Sequence, residues 1–223
     1  VYAKNVALCP VPVGSGNDFV RYFDIPKERF LDIKKLIRVE PTPCDVLKCD
    51  DFYALNNISA GLDAITGKRQ QTVKKLPLVS GGAAYKLALG YSFLSAMKNP
   101  ITFEIDDESV TVGKGDVTLA VVGNGRFYGG GFKATPLADI TDGLMDFVTI
   151  PTISRLEFLK YVNDYKNGRH LQTIPMVVYK KCRKLKMISP DPITLQADGE
   201  IHVKTNPTIE ILPDAINLII PEK

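Results

Sequence analysis

The chain has 223 residues, of which 45% are hydrophobic and 24% are charged, and its formal net charge is +3. This composition is ordinary for a globular chain that can bury one large core or two small ones, and the mild charge neither requires nor excludes an anionic partner. No apolar run is long enough to span a bilayer and no signal peptide is visible, so we expect a cytoplasmic protein whose membrane contact, if any, is peripheral.

The four cysteines predict no disulfide framework. They form no Cys-x-x-Cys pair, and neither His170 nor His202 stands at a zinc-like spacing from them. In a chain of this size and core content, reduced thiols are the expected state. The cysteines are Cys9, Cys44, Cys49 and Cys182.

Residues 1–45 are predicted to be the remnant of an α/β nucleotide-binding domain. A short apolar strand around Val6–Leu8 leads into a glycine turn at 14–18, helical segments follow, and Pro41 and Pro43 end the region. Converging backbone N–H groups at such a turn, with a helix N-terminus behind them, can hold a phosphate. A lone Gly-x-Gly is more often only a turn, so this motif needs support from elsewhere.

Residues 46–223 have the pattern of a larger antiparallel β-sandwich, with the extreme C-terminus returning to the first domain. Short alternating segments bounded by turn residues predict the strands. Two helices interrupt them, Ala83–Met97 and Ser154–Asn167, the second with a Ser154/Glu157 capping box. The fold class is therefore α+β. The predicted strands are 46–49, 52–58, 101–105, 109–112, 117–122, 145–150, 177–187, 193–197, 201–204 and 208–212.

Two loops after strands carry candidate chemistry. Residues 123–131 contain five glycines, which permit either a close backbone approach or simply a wide turn. Downstream, Asp139 and Asp142 flank a glycine turn, and such carboxylates can hold a hard divalent cation. The spacing is not that of an EF-hand, and surface aspartates in turns are common, so both interpretations stay open.

Two further aspartates are ambiguous. Asp198-Gly199 lies between two alternating segments, which is a strong hairpin signal and a structural explanation in itself. A functional Asp198 would be a carboxylate that accepts a proton from an alcohol. Asp63 follows a strand and a glycine, and it lies either in a surface turn or in a cleft between the domains.

Two lysine-rich stretches occur, at 180–186 and 68–75. Lysines at a sheet edge commonly prevent aggregation, and this explanation is favoured. Attraction to anionic lipid head groups is the alternative. Nucleic-acid binding is a weak third choice because no aromatic residues alternate with these lysines.

In chain order, four segments together resemble the bacterial diacylglycerol kinase and lipid kinase family, which is related to sphingosine kinases. They are PVGSGNDF, NNISAGLDA, GNGRFYGGGFKATPLADITDGLMD and ADGE. Each motif is weak alone, but their order and spacing agree from about Val6 to the C-terminus. The resemblance implies a nucleotide-binding domain beside a β-sandwich, with ATP and Mg²⁺ between them and a lipid such as diacylglycerol as the acceptor.

The resemblance also implies roles for individual residues. Asp198 would be the general base on the lipid hydroxyl with Glu200 nearby, Asp18 would lie near magnesium, and Asp63 would face the substrate. A structural magnesium would be held by Asp142 with the carbonyl groups of Asp139 and Leu144. Contacts to the nucleotide phosphates would come from Gly14, Ser15, Gly16 and Asn17.

The family's upstream Gly-Gly-Asp-Gly-Thr loop has no counterpart in these residues, so we expect the chain alone to have little kinase activity. Contact with an anionic membrane and a homodimer are further expectations, and nucleic acid is not an expected partner. Two alternatives stay open: a kinase of a non-lipid alcohol, as in the related NAD kinases, and a non-catalytic β-sandwich that binds lipid or a partner.

Overall fold

Strands dominate the part of the chain that the structure, a computed structural model, describes: residues 6–14, 16–73 and 81–222. The strands are β1 Ala7–Leu8, β2 Thr42–Cys49, β3 Phe52–Ala54, β4 Asn57–Gly61, β5 Thr102–Ile105, β6 Glu108–Val110, β7 Val117–Gly123, β8 Met145–Pro151, β9 Val178–Cys182, β10 Lys184–Ile188, β11 Ile193–Ala197, β12 Glu200–Lys204 and β13 Thr208–Leu218. The helices are α1 Asp18–Arg21, α2 Ile33–Leu36, α3 Leu62–Val73, α4 Gly81–Ser95, α5 Arg155–Lys166 and α6 His170–Thr173, and a 3₁₀ helix covers Lys27–Leu31.

The strands form two sheets packed face to face, which confirms the predicted α+β class with its antiparallel sandwich. The first sheet has the order β3-β2-β13-β10-β5-β6, and the second has the order β12-β11-β4-β7-β8-β9. Neighbouring strands along both orders are antiparallel. A core of Leu, Ile, Val, Phe and Met side chains fills the space between the sheets.

The central strand β7 explains why helices cover the second sheet. All seven of its residues are buried. Ala120 and Val122 face the core between the sheets, whereas Leu119 and Val121 belong to a second apolar cluster. A strand buried on both faces needs a cover on its outer side. Residues of α3 and α5 supply part of that cover.

Residues 6–45 pack against the C-terminal end of the chain. Strand β1 runs parallel to β13, with Ala7 opposite Asn217. Farther along, the Arg29 guanidinium donates a hydrogen bond to the Glu222 carbonyl oxygen at 3.1 Å. A third apolar cluster joins α1 to β2 and β13. The helical segments here are short, four residues each in α1 and α2.

The structure divides two predicted strands. Segment 52–58 is split between β3 in the first sheet and β4 in the second, and segment 177–187 is split between β9 and β10 in the same way. In each case the chain crosses between sheets within two residues. Neither crossing contains a glycine or a proline, so the sequence pattern does not show it.

The sequence analysis missed the four-residue helix α6 and the longer helix α3. Thr66 and Gly67 are poor helix formers in its centre, and the helix is instead stabilised by packing of Leu62 and Ala64. The other helix predictions are confirmed. Ser154 and Glu157 form the full capping box of α5, and α4 covers most of the predicted 83–97 segment. Among the described helices, none is long and apolar enough to cross a bilayer.

Candidate functional site

The glycine turn before α1 is closed by a side chain. Asn17 has a left-handed backbone (φ 51°), and its amide bonds Gly14 twice. The Gly14 N–H donates to Asn17 Oδ1 at 2.9 Å, and Asn17 Nδ2 donates to the Gly14 carbonyl oxygen at 2.6 Å. The Gly14 N–H is therefore hydrogen-bonded within the turn. Ser15 lies outside the described residues. The turn stays an exposed, preformed loop.

Asp18 connects this turn to the glycine-rich loop 123–131. Its Oδ2 accepts a hydrogen bond from the Gly130 N–H at 2.7 Å, and its Oδ1 pairs with the Arg21 guanidinium at 3.3 Å. Asp18 Oδ1 is buried and accepts no hydrogen bond of normal geometry. A magnesium ion at this oxygen would have to displace the Arg21 guanidinium. Arg21 was missed by the sequence analysis, although it follows the motif directly.

Two glycines of this loop, Gly123 and Gly125, are required by close packing, so the loop is more than a wide turn. A Cβ on Gly125 would lie 2.2 Å from Asn56 Oδ1, and one on Gly123 would lie 2.2 Å from Thr135 Oγ1. The Gly125 N–H donates to the Asn56 carbonyl oxygen at 2.9 Å. The ring of Phe19 is the next neighbour of Gly125. The loop thus touches both α1 and the segment before β4.

Asp198 lies at the tip of the β11–β12 hairpin with a left-handed backbone, as its Asp-Gly sequence predicts. Its side chain turns inward. Oδ2 accepts from the Leu55 N–H at 2.6 Å, Oδ1 accepts from the Asn57 N–H at 2.9 Å, and both lie 3.2 Å from the Asn56 nitrogen. Burial raises the pKa of Asp198, while these backbone N–H groups act in the lowering direction. The side chain of Glu200 is 84% exposed and lies 4.0 Å from His202 Nε2.

These contacts bring the predicted nucleotide turn and the predicted base to the same loop. Asp18 bonds the loop at Gly130, and Asn56, which Asp198 holds, bonds it at Gly125. Asn56 also donates from Nδ2 to the Phe127 carbonyl oxygen at 2.8 Å. The hairpin tip is therefore attached to the glycine-rich loop rather than pointing away from it. The roles of these residues in catalysis remain predictions.

Asp63 lies at the start of α3 with both carboxyl oxygens buried and without a hydrogen bond of normal geometry to any described residue. Burial raises the pKa of Asp63 to about 6, although the nearby hydroxyls of Ser59 and Tyr128 and the amides of the helix start act in the lowering direction. A carboxyl group in this state can exchange a hydrogen bond with an incoming hydroxyl group.

Asp63 lines a cavity of about 150 Å³ between α3, α5 and the outer face of the second sheet. Its walls are mostly apolar or aromatic. The polar groups on the walls are few: Asp63 itself, Thr66, Thr118, Gln70, Gln196 and the hydroxyls of three tyrosines. Tyr128 and Tyr165 are linked through their hydroxyls at 3.0 Å. The apolar lining residues include Leu62, Leu89, Leu119, Phe132, Ile150, Ile153, Phe158, Val162 and Ile174.

The same glycine-rich loop forms one wall of the cavity through Tyr128 and Gly129. Gln196, two residues before Asp198, forms part of another wall. The cavity therefore adjoins both the hairpin tip and the loop that holds Asp18. The sequence analysis named Asp63 but missed the cavity, since Tyr128, Tyr165 and Gln196 come from separate segments with no shared motif.

At the predicted magnesium loop, protein groups satisfy both carboxylates. Asp142 Oδ1 accepts from the Leu144 N–H at 3.0 Å, and Asp142 Oδ2 is bound by the Lys181 ammonium. Asp139 Oδ1 accepts from the N–H and hydroxyl of Thr141. Among the described residues, no group of three or more His, Cys, Asp or Glu side chains is arranged to hold a metal ion.

Lys181 also lies 3.7 Å from Oδ2 of the buried Asp146. Burial acts to lower the pKa of Lys181, but the neighbouring carboxylates together raise it. A divalent cation at this loop would have to displace the Lys181 ammonium from Asp142. The arrangement as it stands does not fit a structural magnesium, and the site remains a prediction that a binding experiment can decide.

The lysine-rich stretches divide between ion pairs and helix surface. In the 180–186 stretch, Lys181 binds Asp142, Lys184 lies 2.9 Å from Asp107, and Lys186 lies 3.2 Å from Glu104. Lys180 and Arg183 of the same stretch are exposed and have no ion pair among the described residues. In the 68–75 stretch, Lys68 and Arg69 belong to α3, whereas Lys74 and Lys75 lie outside the described residues.

Solved structures share this fold. A diacylglycerol kinase from Bacillus anthracis str. Sterne matches with a TM-score of 0.63 and 18% identity over 94% of this chain and 65% of its own. Another protein of that organism, proposed to be a diacylglycerol kinase, matches with a TM-score of 0.68 and 20% identity over 94% of this chain and 67% of its own. The sandwich with its helix-covered second sheet is thus the architecture seen in those proteins.

Residues 56–220 match the family described as the YegS C-terminal NAD kinase beta sandwich-like domain. The chain belongs to this family, and the recognition of the lipid kinase group from its motifs is confirmed. "Probable lipid kinase YegS-like" of Alcanivorax borkumensis is 29% identical over 98% of this chain and 71% of its own length. The protein of that name from Pectobacterium atrosepticum is 30% identical over 95% and 68%.

A diacylglycerol kinase of Staphylococcus saprophyticus is 28% identical over 85% of this chain and 60% of its own length. The chain therefore spans about 60 to 71% of these curated relatives.

Proposed function

We propose that this chain supplies the acceptor site and part of the nucleotide site of an ATP-dependent lipid kinase. The observation that carries the proposal is the glycine-rich loop, which contacts Asp18 on one side and lines the Asp63 cavity on the other. A phosphoryl donor held at the turn and an acceptor held in the cavity would then meet across one loop. The names of the relatives support the same reaction class.

The cavity favours a lipid acceptor over a polar alcohol such as NAD. Its walls are mostly hydrocarbon and aromatic, whereas a dinucleotide would need many hydrogen-bonding groups. The acyl or alkyl part of a lipid such as diacylglycerol would occupy the apolar end. Its hydroxyl group would lie near Asp63, the acidic side chain of the cavity wall.

In the proposed reaction, the lipid hydroxyl oxygen forms a bond to the γ-phosphorus while the bond from that phosphorus to the β,γ-bridging oxygen breaks. The hydroxyl proton passes to a carboxylate, for which Asp198 is the proposed base with Glu200 at the same hairpin. Magnesium bound with the nucleotide would neutralise charge on the phosphates. On the nucleotide side, the proposed contacts are Gly14, Ser15, Gly16, Asn17 and Asp18.

Three backbone N–H groups donate hydrogen bonds to Asp198, and these bonds limit how it could act as a base. In the arrangement described, both of its oxygens already accept N–H groups of residues 55–57. A carboxylate has about four lone-pair sites, and three N–H groups already bond to Asp198, so little accepting capacity is left for the proton of the acceptor. Its second proposed role, holding the segment that carries Asn56, uses the bonds already present.

A binding experiment tests the acceptor site with the chain as it is. Soluble dioctanoylglycerol should raise the melting temperature of the wild-type chain. Val162→Trp, which places a large ring in the cavity wall, should abolish that rise. Asn163→Trp is the matched control, because its neighbouring position is exposed and should leave the rise intact. A rise that survives Val162→Trp would contradict the proposed acceptor site.

Phosphate transfer tests the reaction class. Radiolabelled ATP is offered with diacylglycerol, sphingosine or NAD, both to the chain and to a version extended upstream by the Gly-Gly-Asp-Gly-Thr segment of a relative. We expect the extended form to label a lipid and the chain alone to show little transfer. Labelling of NAD alone would favour the alternative kinase, and no labelling by the extended form would favour a lipid-binding sandwich.

A further inference from the structure

Helices α4 and α5 expose large apolar side chains on their outer faces. On α4, Leu87, Tyr91 and Leu94 are spaced by four and three residues, which places them on one helix face, and they are 58%, 62% and 62% exposed. On α5, Leu156 is 80% exposed and Leu159 is 59% exposed. We call these five residues the α4–α5 surface.

Contacts between the two helices make this a continuous surface. The Arg155 guanidinium, at the start of α5, donates to the Phe93 carbonyl oxygen at 3.1 Å and also to the Leu94 carbonyl oxygen. Beneath this contact, the rings of Phe93 and Phe158 lie 5.4 Å apart. The start of α5 therefore abuts the end of α4, and Leu94 and Leu156 flank the same arginine.

Basic side chains lie next to the α4–α5 surface on α5. Arg155, Lys160 and Lys166 are exposed on α5, and no ion pair involves them among the described residues. The acids of the same helix are engaged elsewhere. Glu157 is held in the capping box, and Asp164 is paired with Arg169 at 2.8 Å. An apolar centre with a basic rim is complementary to an anionic bilayer.

The inner sides of the same helices line the cavity. Leu89 of α4 and Phe158, Tyr161 and Val162 of α5 are wall residues. We propose that the α4–α5 surface docks on an anionic phospholipid bilayer, with its leucines and Tyr91 at the boundary between head groups and acyl chains. This inference rests on the proposed lipid acceptor, because docking here would let a lipid enter the cavity directly from the bilayer.

Vesicle cosedimentation tests the docking directly, without any kinase activity. The wild-type chain should bind vesicles of phosphatidylglycerol and phosphatidylcholine, bind pure phosphatidylcholine at least tenfold more weakly, and lose affinity as salt increases. The combined variant Leu94→Gln, Leu156→Gln, Leu159→Gln should bind mixed vesicles at least tenfold more weakly. Circular dichroism and melting temperature would establish that this variant is folded.

Ile33→Gln with Ile37→Gln is the matched control, since these side chains, in α2 and directly after it, are 72% and 76% exposed and lie outside the surface. This control should bind vesicles like the wild type. Equal vesicle binding by the combined variant would overturn the inference. So would a change from dimer to monomer in that variant with unchanged vesicle binding, because the surface would then join two copies of the chain.

The outcome can be separated from that of the proposed function. Soluble dioctanoylglycerol needs no bilayer, so it should still raise the melting temperature of the combined variant. If that rise persists while vesicle binding is lost, the docking inference is supported. If the wild type shows the rise but binds no vesicles, the docking inference fails and the acceptor site stands.

Discussion

Replacing Asp198 by Asn tests whether this residue holds the segment before β4 in place. The carboxylate has acceptor oxygens on both sides, and the Leu55 N–H lies 2.6 Å from one of them while the Asn57 N–H lies 2.9 Å from the other. An amide retains one acceptor oxygen and presents an NH₂ group on the other side. If Oδ1 is kept, the Leu55 N–H then faces another donor.

The expected cost follows from that single lost acceptor. Leaving one backbone N–H without a partner costs about 1–3 kcal/mol. In a chain of this length, a loss of about 2 kcal/mol should lower the melting temperature by about 4–8 °C. Loss of the charge acts in the opposite direction and offsets part of this cost, since burial raises the pKa of Asp198 and the fold disfavours the ionised form.

Urea unfolding and thermal melting at pH 7 measure this effect. Glu200→Gln is the control on the same hairpin, because its side chain is 84% exposed and should change the melting temperature by less than about 1 °C. If Asp198→Asn melts with the wild type, the holding role is refuted, and any loss of kinase activity in that variant must come from the chemistry alone.

Three further experiments probe the cavity, the cation loop and the glycine-rich loop. Since burial raises the pKa of Asp63 to about 6, ionisation of Asp63 should remove about 3 kcal/mol of stability as pH rises from 4 to 6. In urea unfolding, Asp63→Asn should lose less stability than the wild type over this range by about that amount, and it should be more stable at pH 7. An equal slope in the two proteins would contradict the assignment. Lys181→Met should lower the melting temperature. Added Mg²⁺ should restore it only if the loop at Asp142 can bind a cation. If Mg²⁺ changes the melting temperature of neither the wild type nor Lys181→Met, the predicted metal site is wrong. Gly125→Ala should lower the free energy of unfolding by about 1–3 kcal/mol, because its Cβ would lie 2.2 Å from the Asn56 amide oxygen. Gly90→Ala is the control and should not destabilise the protein, since no atom lies within 4 Å of its Cβ. Equal melting temperatures for the two variants would refute the close-packing argument.

Short-range patterns in the sequence were sufficient for much of the fold. The Asp198-Gly199 hairpin and the Ser154/Glu157 capping box depend on residues within a few positions of each other, and both are present. The apolar run of β7 predicted a strand for the same reason. Helix α3 was missed because its stability comes from packing on the second sheet, which overrides the weak helix propensity of Thr66 and Gly67.

The sequence by itself determined the α+β class, most of the strands and the family, because alternation, turn residues and ordered motifs are local properties of the chain. Only the tertiary structure decided which of those motifs meet. Contacts between Asn56 and Gly125, or between Lys181 and Asp142, join residues more than thirty positions apart. The burial of Asp63 likewise depends on walls from separate elements, so its raised pKa follows from the folded arrangement and from no single segment.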